Sequence, residues 1–329
     1  RSKMVVKSNP EFGIELALVV PYAYYLHTKG KLNTVITSRG MKPFYYFCDD
    51  VREEFKFRTI DNAAAGLNEL PNNWIHHNAT AIFGKGHGEL SEEDQSKANG
   101  QLDYSKWEVP PYREYYKNEE YKFKRKMVFI TNKYNLEHGH KPYGFFDIKC
   151  LYDMFVYLTS SGYDVIYKRP KNTEFVIDQN EMFSLQNHDL DINADVDGIG
   201  SITDRDLPKY FDNVYLFDDL IDKHSYNETQ MKIMANSDYF ITQSGGNAIL
   251  SCLWNRPTIT YITQGAELRP NYFSENSYFQ KISNQKCIPV FDIIGEINKN
   301  HYNHKINNTG KNNYSGLMNT VKEIISGDK

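Results

Sequence analysis

Ser237-Asp238-Tyr239-Phe240-Ile241-Thr242-Gln243-Ser244-Gly245-Gly246-Asn247-Ala248-Ile249-Leu250 is the stretch whose reading decides the fold class. It reads as an apolar strand, a Ser-Gly-Gly turn and an amphipathic helix running to about Trp254, with a second apolar run, Pro257 to Ile262, close behind. Glycine lets a backbone approach a neighbour or a ligand closely, and the first N–H groups of a helix have no partner within it. At the carboxyl edge of a parallel sheet such a turn is where a nucleotide diphosphate sits. The competing reading is a strand-to-helix turn that needs glycine only for packing.

The same alternation extends outward from this stretch. Lys126 to Thr131, Asp164 to Lys168, Asn213 to Phe217, Tyr239 to Thr242, Thr258 to Ile262 and Ile288 to Phe291 read as strands. Phe145 to Ser160, Tyr226 to Asn236, Ser274 to Ile282 and Gly316 to Ile325 read as helices. Upstream, Lys3 to Ser8 reads as a strand, Gly13 to His27 as a helix, and Leu32 to Thr37 and Pro43 to Cys48 as strands, the last entering Asp49-Asp50. Strands alternating with helices predict an α/β protein of two Rossmann-like, doubly wound domains facing a cleft. The expected division is 1–120 for the first domain, 121–310 for the second, and a closing helix in 311–329 that packs back on the first domain.

Bulk properties narrow the classes of partner. The 329 residues are 40% apolar and 24% charged, ordinary for a globular protein, and suffice for two cores. A formal net charge of -4 argues against nucleic acid or an anionic membrane surface as a partner. The apolar run Leu16 to Val20 ends at Pro21, far short of a transmembrane segment. Cys48, Cys150, Cys252 and Cys287 lack CxxC spacing, so reduced, buried thiols in a cytoplasmic chain are expected. The reading leaves room for this to be one module of a longer protein.

The order Ser237 to Gly246, helix to Trp254, then Arg256-Pro257-Thr258-Ile259-Thr260-Tyr261 resembles the nucleotide-sugar-binding half of GT-B glycosyltransferases. Gly265-Ala266-Glu267 after the next strand adds to the resemblance, which covers residues 124–295 well and 1–110 in outline. It implies a donor diphosphate on the second domain, an acceptor on the first, and no metal or other cofactor. The implied reaction moves a sugar from a UDP- or GDP-linked donor to a glycan hydroxyl, with inversion.

Candidate residues follow from that chemistry. Backbone N–H groups of Ser244, Gly245, Gly246 and Asn247 are expected to cradle the leaving diphosphate. Arg169, ending a strand on the same edge, offers a fork for phosphate oxygens; a surface arginine before Pro170 is the plainer alternative. Asn132 and Lys133 are placed to reach phosphate or sugar, Glu267 to accept the ribose hydroxyls, and the backbone at Phe217 to meet the base. The acceptor base is a carboxylate or histidine of the first domain, with Glu15, Asp49 and His87 as candidates. An acid at Glu15 is also what compensation of a helix dipole predicts.

Other signals carry less. Asp189-Leu190-Asp191, Asp195-Val196-Asp197 and Asp204-Arg205-Asp206 look like DxD metal motifs but fall in a polar insertion, so a solvated acidic loop is expected there. Gly84-Lys85-Gly86-His87-Gly88 lacks P-loop spacing. A nucleotide-sugar epimerase or hydrolase on the same scaffold, or a glycan-binding module without turnover, are the rival readings.

Overall fold

The structure, a computed structural model, describes residues 2–58, 91, 93, 104–134, 142, 144–170, 177–178, 190–263, 266–268, 272–292 and 313–327. His87 and the Gly84–Gly88 run lie outside the described residues.

The first half builds a parallel sheet of three strands, β1 (Met4–Lys7), β2 (Leu32–Ser38) and β3 (Asp50–Phe55), in that order. Between β1 and β2 runs α1, which opens at Phe12–Ile14, widens at Glu15–Val19 and resumes over Val20–Thr28. In the wide turn Val20 N–H donates to the Glu15 carbonyl, five residues back. Pro21 is the physical reason: its ring clashes with a carbonyl four residues back, and an extra residue in the turn relieves that. Pro43 to Cys48, expected as a strand, instead holds a 3₁₀ turn at Lys42–Tyr45. The strand begins only at Asp50, so Asp49 precedes a strand rather than following one.

A short strand, β4 (Phe57–Arg58), pairs in parallel with β7 (Ile177–Asp178) from the second half. The segment 104–124 makes contacts with both halves. Trp107 Nε1 donates to the Ala17 carbonyl at 2.7 Å. Helix α2 (Tyr112–Tyr116) follows. From it, Tyr112 Oη donates to the Phe44 carbonyl at 2.6 Å and Arg113 Nη1 to the Ser237 carbonyl at 2.6 Å.

The second half contains β5 (Lys126–Thr131), α3 (Ile148–Ser160), β6 (Tyr163–Lys168), β8 (Asn193–Val196), β9 (Gly200–Thr203), β10 (Val214–Leu216) and α4 (Tyr226–Asn236). It continues with β11 (Tyr239–Gln243), α5 (Gly246–Cys252), β12 (Thr258–Ile262), α6 (Tyr278–Ile282), β13 (Cys287–Phe291) and α7 (Ser315–Ser326). Local chemistry sets the helix starts. Asp147 accepts from Cys150 N–H at 2.8 Å, and Ser225 caps α4 by accepting from Glu228 N–H, with Glu228 at the capping-box position. β8 and β9 form an antiparallel hairpin where only irregular polar chain was expected.

Six of these strands form one sheet in the order β10-β6-β5-β11-β12-β13, every pairing parallel. In chain order that is 3-2-1-4-5-6, the doubly wound arrangement of dinucleotide-binding folds. Side chains alternate between the faces as strand geometry requires. Met127, Phe129, Ile166 and Phe240 face one way; Val128, Ile130, Val165, Tyr167, Tyr239 and Ile241 face the other.

The buried residues form two cores, one on each face of this sheet. One core takes the first face of this sheet together with α1, β1, β2, α2, α4 and α5. The other joins the second face to α3 and α7. Helix α7 therefore packs on the second sheet through Leu317, Val321 and Ile325, not back on the first half as expected. The four cysteines are free and buried. Among the described residues no helix is long and apolar enough to cross a membrane.

Candidate functional site

Where strand order reverses, between β5 and β11, the connections leave in opposite directions and open a crevice at the carboxyl edge. Asn132 closes the floor of that crevice. It is fully buried; its Nδ2 donates to the Phe146 carbonyl at 2.9 Å and to Tyr167 Oη at 3.0 Å. Its Oδ1 accepts from Phe146 N–H at 2.9 Å and from Gln243 Nε2 at 2.6 Å. Its amide ties β5, β6 and β11 together. Lys133 lies beside it, with its carbonyl accepting from Gln243 Nε2 at 3.3 Å.

Arg169 is also held by protein partners. Its side chain is 1% exposed and its Nη1 lies 3.0 Å from Asp204 Oδ2, while Nη2 donates to the Leu190 carbonyl. The Tyr134 ring covers the guanidinium at 5.5 Å. Asp204 also accepts from Tyr167 Oη at 2.6 Å and from Ile192 N–H at 3.2 Å. Asp204 is thus not part of a solvated acidic loop. A buried charge needs a partner, and these two supply each other's.

Its neighbour Lys168 has no such partner. Lys168 ends β6, is 4% exposed, and donates from Nζ to Asn247 Oδ1 at 3.2 Å. The Tyr226 ring lies under the ammonium at 5.8 Å. Among the described residues Lys168 makes no ion pair, and burial pushes its pKa down from 10.5 to about 7, against a smaller upward pull from Asp218. Sequence reasoning chose Arg169 for its fork and passed over Lys168. In a strand buried on both faces, the last residue before the chain turns is the one at the crevice, and that was the available signal.

The Ser-Gly-Gly turn stands opposite. Ser244 N–H donates to the Tyr261 carbonyl at 3.1 Å, which extends the sheet and removes that group from the expected cradle. Gly245 adopts φ 113°, a conformation that favours glycine, and caps α5 without a side-chain bond. Ala248 N–H folds back to the Gly245 carbonyl at 3.0 Å. The N–H groups of Gly245, Gly246 and Asn247 have no acceptor among the described residues. Phe217 is buried against Phe129 and Tyr226, so only its backbone reaches the edge. Glu267 sits in a 3₁₀ turn at Ala266–Leu268, beyond the end of β12; burial above all, then Tyr272 and Glu267, push the Tyr278 pKa up.

The first half presents α1 to this turn. A methyl group on Gly246 would lie 3.4 Å from Phe12 Cδ1 and 3.5 Å from Gly13 N. Glu15, just along the helix, is fully buried and accepts from Thr37 Oγ1 at 2.7 Å, near the carboxyl end of β2. Arg58 Nη1 lies 3.6 Å from Glu15 Oε2 and donates to the Pro10 carbonyl at 2.8 Å. Burial raises the Glu15 pKa, while Arg58 and Thr37 oppose the rise. Asp49, by contrast, lies at the amino end of β3, away from the carboxyl edges. The structure brings Glu15 to the crevice side of the first sheet and leaves Asp49 on the other.

No protein family matches the chain by sequence, and no curated protein does. Among solved structures, it is similar to the ADP-heptose lipopolysaccharide heptosyltransferase II of E. coli at 10% identity, covering 99% of each chain, TM-score 0.49. It is similar to a family 9 glycosyl transferase of Veillonella parvula at 11% identity, covering 100% of this chain and 98% of that one, TM-score 0.49. An iron-containing dodecameric glycosyltransferase of enterotoxigenic E. coli matches at 14% identity and TM-score 0.39, over 83% of this chain and 61% of that one. This chain therefore spans less than two thirds of that protein's length. With every TM-score below 0.5, these likenesses decide nothing about activity.

Proposed function

We propose that this chain is a glycosyltransferase of the GT-B type. In this reading it moves a sugar from a nucleotide diphosphate donor, UDP- or GDP-linked, to a hydroxyl of a glycan acceptor, with inversion and without a metal. One observation carries the reading: the turn at Gly245–Gly246, at the reversal point of a 3-2-1-4-5-6 parallel sheet, meets the helix bearing Glu15 from the other sheet.

The chemistry divides between the two halves. The N–H groups of Gly245, Gly246 and Asn247 take charge that develops on the leaving diphosphate, where fixed donors need no reorganisation. Glu15, its pKa raised by burial, accepts the acceptor hydroxyl's proton as the oxygen attacks the anomeric carbon. Glu267, after β12, is the candidate for the ribose hydroxyls, Lys133 for the donor sugar and the backbone at Phe217 for the base. Glu15 is closed to solvent as the chain stands, so acceptor entry requires the packing around it to open.

The test is sugar transfer from radiolabelled UDP- and GDP-sugars to a glycan library, in EDTA. Transfer with release of the nucleoside diphosphate supports the reading. Release of free sugar or an epimer, with no acceptor product, replaces it by the hydrolase or epimerase.

A further inference from the structure

Lys168 is a buried cation that makes no ion pair among the described residues. Arg169, the next residue, is as deeply buried but has Asp204 at 3.0 Å. Arg58 is buried too and has Glu15 at 3.6 Å. Lys168 donates to the neutral amide oxygen of Asn247 and lies over the face of Tyr226, with the Asp218 carboxylate near but not in an ion pair with it. Charged groups are buried almost solely with partners, because transfer of an unpaired ion out of water is costly. A lysine held in this way is either neutral or waiting for an anion, and its position decides which anion. It projects from the end of β6 to the first turn after Gly245–Gly246, on the side where the N–H groups of Gly245, Gly246 and Asn247 have no acceptor.

We propose that Lys168, buried against Asn247 and in no ion pair among the described residues, receives the anionic phosphate of the ligand and takes up a proton as it does so. The proposal rests on the reading that this crevice binds a nucleoside diphosphate. Before the ligand arrives, the amine gives up its proton to solvent near neutral pH. When the phosphate approaches, opposite charge favours the ammonium, which recovers a proton and donates to a phosphate oxygen in place of Asn247. The other groups facing Lys168 are the Asp218 carboxylate on the turn after β10 and the Tyr226 ring of α4; Asp218 favours the ammonium in both states.

The sign follows from linkage. Below about pH 7 the lysine is already charged and binding needs no proton. Above it, each bound ligand draws about one proton, and affinity falls roughly tenfold per pH unit. The crevice therefore binds its ligand most tightly on the acid side of neutrality.

Calorimetric titration with UDP, GDP, ADP, CDP and dTDP at pH 8, in Hepes and in Tris, reads this directly. The two buffers differ in ionisation heat, so proton uptake appears as a difference in apparent enthalpy. The wild-type chain is expected to take up about one proton more than Lys168→Met, and Lys168→Met to bind tenfold or more weakly at pH 7. Lys168→Arg, always charged, is expected to bind without that uptake and with affinity flat to pH 9. Circular dichroism confirms folding of Lys168→Met; should it fail to fold, the wild-type and Lys168→Arg comparison decides. Nucleotide binding with equal proton uptake in wild type and variant overturns the inference and leaves the nucleotide reading in place. Absence of binding by every diphosphate overturns both.

Discussion

Gly13 and Gly246 bring the two halves of the chain together backbone to backbone: a methyl group on Gly13 would lie 3.2 Å from Gly246 Cα and 3.1 Å from Ile249 Cδ1. Gly246 Cα is backbone and cannot swing aside as the end of the Ile249 side chain can, so a side chain at Gly13 moves α1 away from the turn. Overpacking of this kind costs about 1–3 kcal/mol. Gly13→Val is expected to lower stability by that amount in denaturant unfolding and to weaken nucleotide binding. Gly246→Val, pressing on Phe12 and Gly13 from the other side, is expected to abolish nucleotide binding with the fold kept. Undiminished binding in both variants removes the ligand from this junction.

Gly245 makes a different demand. A side chain there meets nothing within 4 Å, yet φ is 113°. Gly245→Ala is expected to destabilise by about 1–3 kcal/mol through the backbone alone. A melting temperature equal to wild type would show that the turn relaxes freely.

Glu15 is expected to reveal itself in kinetics. Glu15→Gln keeps the volume and a partner for Thr37 but cannot accept a proton, so turnover should fall by about 10²–10⁴ with donor affinity unchanged. With the folded-state pKa raised above 4.5, the acid limb of kcat/KM lies above the ordinary carboxylate range and vanishes in the residual activity of Glu15→Gln. The same shift means the folded chain holds a proton that the unfolded chain releases. Its contribution to stability is present below pH 4.5 and is lost as pH rises through the folded pKa. Unchanged turnover clears Glu15 of the role.

Asp204 and Arg169 give a stability prediction independent of function. Asp204→Asn leaves the Arg169 guanidinium buried without its anion, which is expected to cost on the order of 3–5 kcal/mol. A loss below about 1 kcal/mol, as for an exposed pair, would contradict the buried network.

Lys168 acts on stability in the opposite sense. Its folded pKa of about 7 lies below the ordinary 10.5, so the unfolded chain binds the extra proton between those values. Ligand-free stability is therefore expected to gain from this group as pH rises from 7 towards 10.5, and Lys168→Met to lose that gain. Parallel stability curves for the two proteins would refute it.

The second sheet was legible because its strands are apolar runs punctuated by caps and turns. Lys126–Thr131, Tyr226–Asn236 and Thr258–Ile262 stand where the periodicity places them. Pro43–Cys48 was not, because Phe44, Tyr45 and Tyr46 suit a strand locally while the turn at Lys42–Tyr45 is fixed by packing under Tyr112. The Ser-Gly-Gly turn was visible as a site. The partners of buried polar groups were not. Asn132 meets Gln243 and Arg169 meets Asp204 only in the folded chain, so the structural partners of these residues could not be read from the sequence. Lys168 emerged by the converse route, as the buried cation with no ion pair among the described residues.

Thermal unfolding of the whole chain with UDP, GDP, CDP, ADP and dTDP, each with and without EDTA, tests the central claim most directly. A ligand that binds only the folded state raises its melting temperature by mass action. One diphosphate is expected to raise it in wild type, in the presence of EDTA, and to leave Gly246→Val unmoved. No shift with any of the five would contradict the assignment of a nucleotide diphosphate to the crevice between β5 and β11.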